Sequence, residues 1–153
     1  MNKEGYDLDV WVRMYEEQIR HVRHHEALRS SSTNFVVVIS AAALGLFAAD
    51  MISEWRWLLA LFVVFINVYG LLMGLKHYER SRLHHAVADR YRAVISETCK
   101  AGSHEINELR SAAQREHFGH SRLPRWLRVY LLWCGLHILL AVLGILLLIL
   151  LSR

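Results

Sequence analysis

The side chains with the greatest chemical capacity are basic, and they cluster. Arg80, Arg82, Arg90 and Arg92, with Lys76, His84 and His85, crowd one stretch, and Arg20, Arg23, His24 and Arg29 crowd another. Guanidinium groups bind phosphate and carboxylate through paired, charge-assisted hydrogen bonds. Tyr78 and Tyr91 are interleaved among them and offer rings on which a base can stack. This combination points to recognition of an anion, either a nucleotide or a short oligonucleotide. A second reading stays open: anionic lipid headgroups attract basic juxtamembrane segments without any specific ligand. Glu26, Glu79 and Asp89 are also close enough in sequence to neutralise some of the arginines.

Other chemistries find less support. His21 and His25 stand at i,i+4, His84 and His85 are adjacent, and His77 precedes His84 by one heptad. Such a pair holds a divalent metal when further ligands converge on it; otherwise the imidazoles serve as amphipathic interface residues or as pH sensors. Cys99 and Cys134 form neither a CxxC pair nor a disulfide framework. No Gly-rich phosphate loop, HExxH or GxSxG occurs, and the apolar blocks hold no paired carboxylates. The sequence therefore leads us to expect no catalytic residues, no metal and no cofactor.

What must position the basic residues is a membrane. Of 153 residues, 54% are hydrophobic and 21% charged, with 18 Lys+Arg against 14 Asp+Glu and a single proline. These totals lie near those of a globular domain, at about 45–50% apolar and about 25% charged. Their distribution does not. Charges are nearly absent from three blocks and concentrated elsewhere, which excludes a simple soluble fold, and the apolar content excludes disorder. A bilayer span needs about 20 apolar residues. We place spans at 30–52, 57–75 and 129–151. The first has an apolar core at Phe35–Ala49, flanked by hydroxyl residues that can bond back to the helix backbone; its alternative is a buried or re-entrant segment. The polar run ahead of Phe35 gives no early apolar core of the kind a cleaved secretory signal has.

Positive charge sets orientation. Residues 1–34 carry five Lys and Arg, and residues 76–128 carry eleven against six Asp and Glu, whereas the 50–56 loop and the C-terminal tail hold one each. Residues 1–34 and 76–128 are accordingly expected in the cytoplasm, with the C-terminus outside. Trp55, Trp57 and Trp126 fall near the expected interfaces, where indole rings are favoured.

The polar segments read as helices. Trp11, Tyr15, Ile19 and Val22 recur every three or four residues, and no Gly or Pro interrupts Tyr6–Asn34. A helix capped near Asp7 or Asp9 then continues into the first span. The second span likewise continues into the basic stretch, where Leu83, Val87, Tyr91, Val94 and Thr98 form an expected packing stripe. Arg82, His85, Asp89, Arg92 and Ser96 lie opposite. A turn is expected at Ala101–Ser103, then a short helix with Ile106, Leu109 and Ala113 on one face, ended by Phe118–Ser121 and Pro124. The fold class is an all-α membrane protein of three spans with long cytoplasmic helical extensions.

Assembly signals lie within the spans. Ala41, Gly45 and Ala49 form a small-residue series in the first, and Gly70 and Gly74 form GxxxG in the second. Such faces let helix backbones approach closely in lipid, which suggests a homo-oligomer. Ser40 and Asn67 either hydrogen-bond between helices or line a wet path. His137 is the only Asp, Glu, Lys, Arg or His of the Leu-rich third span, and an intramembrane histidine is a functional candidate by default; interhelical hydrogen bonding is its favoured role.

The stretches YEEQIRHVRHHEALRSSSTNF and GLKHYERSRLHHAVADRYRAV, with the paired spans between them, resemble small bacterial membrane proteins of the SLATT type and similar antiphage-defence effectors. The resemblance covers roughly Tyr15–Val94, and the third span departs from a plain two-span pattern. It implies a pore-forming effector beside a nucleotide-synthesising partner protein, as in CBASS or Hailong systems. The combined expectation is a homo-oligomeric channel of the bacterial inner membrane, gated by a nucleotide or oligonucleotide at its basic helices. A non-conducting scaffold that docks a soluble partner through those helices is the alternative.

Overall fold

The structure is a computed structural model that describes residues 8–49, 53–99, 108–109, 111–113, 115 and 129–152. Its long helices are α1 (Leu8–Ala48), α2 (Arg56–Thr98) and α3 (Val129–Leu151), with a 3-10 turn at Ser53–Trp55 before α2. No strand occurs among the described residues. All three helices include a segment long and apolar enough to cross a membrane. α1 runs for 41 residues and α2 for 43 without a proline. At 1.5 Å per residue each measures about 60 Å, roughly twice the hydrocarbon thickness. Only the apolar half of either helix fits that layer, and the charged half extends beyond it.

The chain divides into two compact units, Met1–His24 with Arg80–Trp126 and His25–Glu79 with Leu127–Arg153. In the second, the apolar unit, α1 buries Thr33, Val36, Ser40 and Ala43, and α2 buries Ala60, Val63, Asn67 and Gly70. Both series step by three, four and three residues, the spacing of a narrow coiled-coil seam. None of these residues is Leu, Ile or aromatic. In lipid, close packing and hydrogen bonds rather than water exclusion hold helices together, so small side chains define the seam. The long apolar side chains point away, with Phe35, Val38, Phe65 and Leu72 all exposed. α3 contributes His137 and Gly144 as its buried positions, while Leu132, Leu139, Leu146 and Leu150 face outward.

The return from α1 to α2 is fixed by Arg56. Its Nη2 donates to the Phe47 carbonyl at 3.3 Å, and its guanidinium lies 4.9 Å from the centre of the Phe47 ring. A cation at a helix C-terminus satisfies orphan carbonyls and opposes the helix dipole.

In the polar unit, Val22 is buried and Trp11, Tyr15 and Ile19 are half-buried along α1. The α2 seam keeps Val87, Tyr91 and Val94 of the expected stripe half-buried and departs from it at both ends. Leu83 is 50% exposed and Thr98 is exposed, whereas Ser81 and Ala88 are buried with His84, Tyr91 and Ile95 beside them. Small residues win these positions because they admit a close neighbouring helix, and Leu83 is turned outward. Residues 108–109, 111–113 and 115 are helical, with Leu109 and Ala113 exposed. The expected turn at Ala101–Ser103 and the break at Phe118–Pro124 lie outside the described residues.

Candidate functional site

The apolar unit encloses a hydrogen-bonded polar cluster drawn from all three helices. Asn67 on α2 stands at its centre. Its Nδ2 donates to Ser40 Oγ on α1 at 2.8 Å and to the Val63 carbonyl one turn back at 2.9 Å. Both amide hydrogens are thereby engaged, so Oδ1 is left to accept from His137 Nδ1–H at 3.2 Å. The proton on Nδ1 leaves Nε2 facing the Thr33 hydroxyl at 3.4 Å, a long and weak contact. Thr33, Ser40, Asn67 and His137 are all but inaccessible. Lipid offers no partners for such groups, so the cluster fixes which faces of the three helices meet.

Gly70 is part of this arrangement, though not as a backbone contact. A Cβ at Gly70 would lie 2.6 Å from His137 Cε1 and 2.9 Å from its Nδ1, so the missing side chain is the notch that seats the imidazole. Gly45 and Gly74 differ: a Cβ at either would meet nothing within 4 Å in this chain. Ala41 and Gly45 lie on an exposed face of α1. The close helix approach in this unit is made by Gly144 of α3, where a Cβ would lie 2.8 Å from Val64 Cγ2 and 3.0 Å from the Ala60 carbonyl oxygen. Sequence reading missed Gly144. The signal was present in the i, i+4, i+7 series His137, Ala141 and Gly144, one face of an otherwise leucine-rich helix.

The basic residues separate into two groups in the polar unit. Arg20, Arg23, Arg80, Arg82, His85 and Arg90 are exposed. Among the described residues, none of the five arginines makes an ion pair with a carboxylate. Arg20 and Arg23 line a shallow groove with Tyr15, Glu16 and Ile19. His84, Tyr91 and Arg92 are instead half-buried against α1, Tyr91 in keeping with its place in the expected packing stripe. Tyr91 meets Trp11 with ring centres 5.9 Å apart, and Arg92 lies 5.8 Å over Tyr15 while pairing with Asp89 at 3.0 Å. Each of these side chains already has a partner in the helix seam.

His84 is held by Gln18, whose Oε1 accepts from Nδ1–H at 2.7 Å, and is stacked on His21 at 4.9 Å between ring centres. Burial lowers its pKa below the ordinary 6.5, and the neighbouring His21 and Arg80 lower it further. Folded His84 therefore takes up its proton at lower pH than the unfolded chain does. As pH falls from 6.5 to the folded value, the unfolded state binds more protons and stability drops. We expect the thermal midpoint to decline through that window and His84→Gln to flatten the decline. Identical pH profiles for the two proteins would contradict this assignment.

Among the described residues no three His, Cys, Asp or Glu side chains converge as metal ligands. Cys99 and Cys134 are free thiols.

Three membrane-length helices and a polar cluster closed inside them define an all-helical, multi-pass membrane protein. Comparison with protein-family models, curated proteins and solved structures finds no match.

Proposed function

We propose that the chain is a homo-oligomeric channel or pore-forming effector of the bacterial inner membrane, gated by a nucleotide or oligonucleotide and serving antiphage defence. The observation that carries this reading is the set of exposed arginines Arg20, Arg23, Arg80, Arg82 and Arg90, which have no carboxylate partner among the described residues. Unpaired guanidinium groups are strong ligands for phosphate. The resemblance of Tyr15–Val94 to SLATT-type effectors supports the same conclusion and adds a nucleotide-synthesising partner protein. The excess of Lys and Arg in 1–34 and 76–128 supports a cytoplasmic N-terminus and a periplasmic C-terminus.

In this mechanism the ligand binds the basic face and shifts a closed–open equilibrium by as much as its affinity differs between the two states. α1 and α2 run unbroken from their basic segments into their spans. Ser40 and Asn67 are occupied inside the protomer, and the exposed Ala41–Gly45 face of α1 serves protomer contact. A pore about the oligomer axis is then lined by residues other than Ser40 and Asn67.

That closure of Ser40 and Asn67 favours the second reading, a non-conducting scaffold that docks a soluble protein on the same basic helices. Titration of a labelled dinucleotide separates the two. For the channel, Arg80→Glu with Arg82→Glu should weaken binding roughly tenfold or more at fixed salt. Absence of nucleotide binding by the wild type, combined with loss of a protein partner in the variant, would favour the scaffold.

A further inference from the structure

At one end of the apolar unit a charged side chain lines a crevice and has no counter-charge. Arg29 of α1 is half-buried there, beside Leu71 and Gly74 of α2 and Tyr130 and Trp133 of α3. Among the described residues no carboxylate pairs with it. Of its guanidinium nitrogens only Nε is closed off without a hydrogen-bond partner, so the two Nη groups are the ones that reach the surface. A half-buried cation left unpaired between apolar helices is costly. The walls around it are set. Tyr130 stacks on Tyr78, with ring centres 4.3 Å apart and planes inclined by 19°, and a Cβ at Gly74 would meet nothing within 4 Å. The crevice has a volume of about 10 Å³, room for a single water. A larger anion therefore lies across its mouth, on the Nη groups, and does not enter.

We propose that Arg29 holds the phosphate of an anionic phospholipid at this mouth. Arg29 immediately precedes the first span, and Gly74 and Tyr130 lie at the matching ends of the second and third. The crevice is thus at the level where hydrocarbon gives way to headgroups. Tyr and Trp favour that level, and neither Tyr130 nor Trp133 spends its O–H or N–H on a hydrogen bond among the described residues. A guanidinium presents two parallel donors that match two phosphate oxygens, and basic pockets between spans take acidic headgroups on the cytoplasmic side. Positive charge alone does not make the site: Lys76, at the same end of the unit, is exposed and already paired with Glu79 at 2.8 Å. The lipid site is separate from the exposed arginines of the polar unit. It is independent of the channel reading and stands whether or not the protein conducts.

Native mass spectrometry of the full chain in detergent tests it, with dioleoyl phosphatidylglycerol and dioleoyl phosphatidylcholine titrated in parallel. The wild type should retain phosphatidylglycerol more tightly than phosphatidylcholine. Arg29→Gln should weaken phosphatidylglycerol binding roughly tenfold, the loss of one charge-assisted contact. Lys76→Gln should leave it unchanged. Arg29→Lys keeps the charge without the fork and should lose part of the affinity, which keeps the site testable if the glutamine variant fails to fold. Three results would each overturn the proposal: no preference for phosphatidylglycerol in the wild type, an unchanged affinity in both Arg29 variants, or an equal loss in Lys76→Gln. Inorganic phosphate retained by the wild type and lost in Arg29→Gln, with lipid binding unaffected, would also overturn it by making the occupant a free anion.

Discussion

Replacing Gly144 by Leu should detach α3 from the other two helices and cost more than about 3 kcal/mol, the largest effect of any single change considered. The reason is backbone, not side-chain, crowding. A methyl carbon at Gly144 already comes 3.0 Å from the Ala60 carbonyl oxygen and 3.2 Å from the Val64 nitrogen, with Val64 Cγ2 at 2.8 Å. A side chain can change rotamer, but the backbone of α2 cannot yield without moving the whole helix. Overpacking a tight site usually costs about 1–3 kcal/mol; Gly144→Ala should fall in that range and the leucine beyond it. Gly135 is the control, being on the same helix and exposed, with nothing within 4 Å of its would-be Cβ. Gly135→Leu should stay within about 0.5 kcal/mol of the wild type. Unfolding in mixed micelles measures all three. Equal stability of the two leucine variants would show that α3 does not approach α2 at Gly144.

The second large effect is expected at Asn67. Changing it to Leu keeps the branching, adds volume, and orphans Ser40 Oγ and the Nδ1–H of His137, both fully buried. Interhelical hydrogen bonds in membrane proteins average about 0.6 kcal/mol with a maximum near 1.7, and stranding a buried partner adds desolvation cost. We expect a loss of about 2 kcal/mol. Ser40→Ala should cost about 0.6 kcal/mol, and Thr33→Val almost nothing because its contact with His137 is 3.4 Å long. The pair should also be non-additive. His137→Leu in the Asn67→Leu background should cost much less than His137→Leu alone, since the imidazole has already lost its partner. Strict additivity would mean that the two side chains do not interact.

These two predictions rest on features of unequal legibility in the sequence. The three spans were readable because charge is excluded from lipid so strongly that its absence over some 20 residues carries the message. Continuity of α1 and α2 was readable from the absence of helix breakers. Ser40, Asn67 and His137 stood out individually as polar groups in apolar runs, but their convergence depends on the rotation of three helices, which no single helix specifies. The seam of α2 in the polar unit was legible at Val87, Tyr91 and Val94, which are half-buried, and misplaced at its ends. Leu83 and Thr98 were counted in the stripe yet both are exposed, whereas Ser81 and Ala88 are buried, where size matters more than hydropathy. Within the chain, the glycines also divide in a way that the GxxxG pattern does not show. Gly70 admits an imidazole rather than a neighbouring backbone, and the close backbone approach belongs to an isolated glycine in α3. Tyr91 and Arg92 were named as ligand candidates by residue type alone; sequence does not give their neighbours, which are Trp11 for Tyr91 and Tyr15 and Asp89 for Arg92.

The proposed channel activity is tested most directly by ion flux from vesicles reconstituted with purified wild-type protein, recorded before and after addition of a nucleotide signal. The account predicts flux that changes at least severalfold on adding the nucleotide, and loss of that response, with protein still inserted, in the Arg80→Glu, Arg82→Glu variant. Vesicles that hold inserted wild-type protein and stay sealed with and without nucleotide would contradict it.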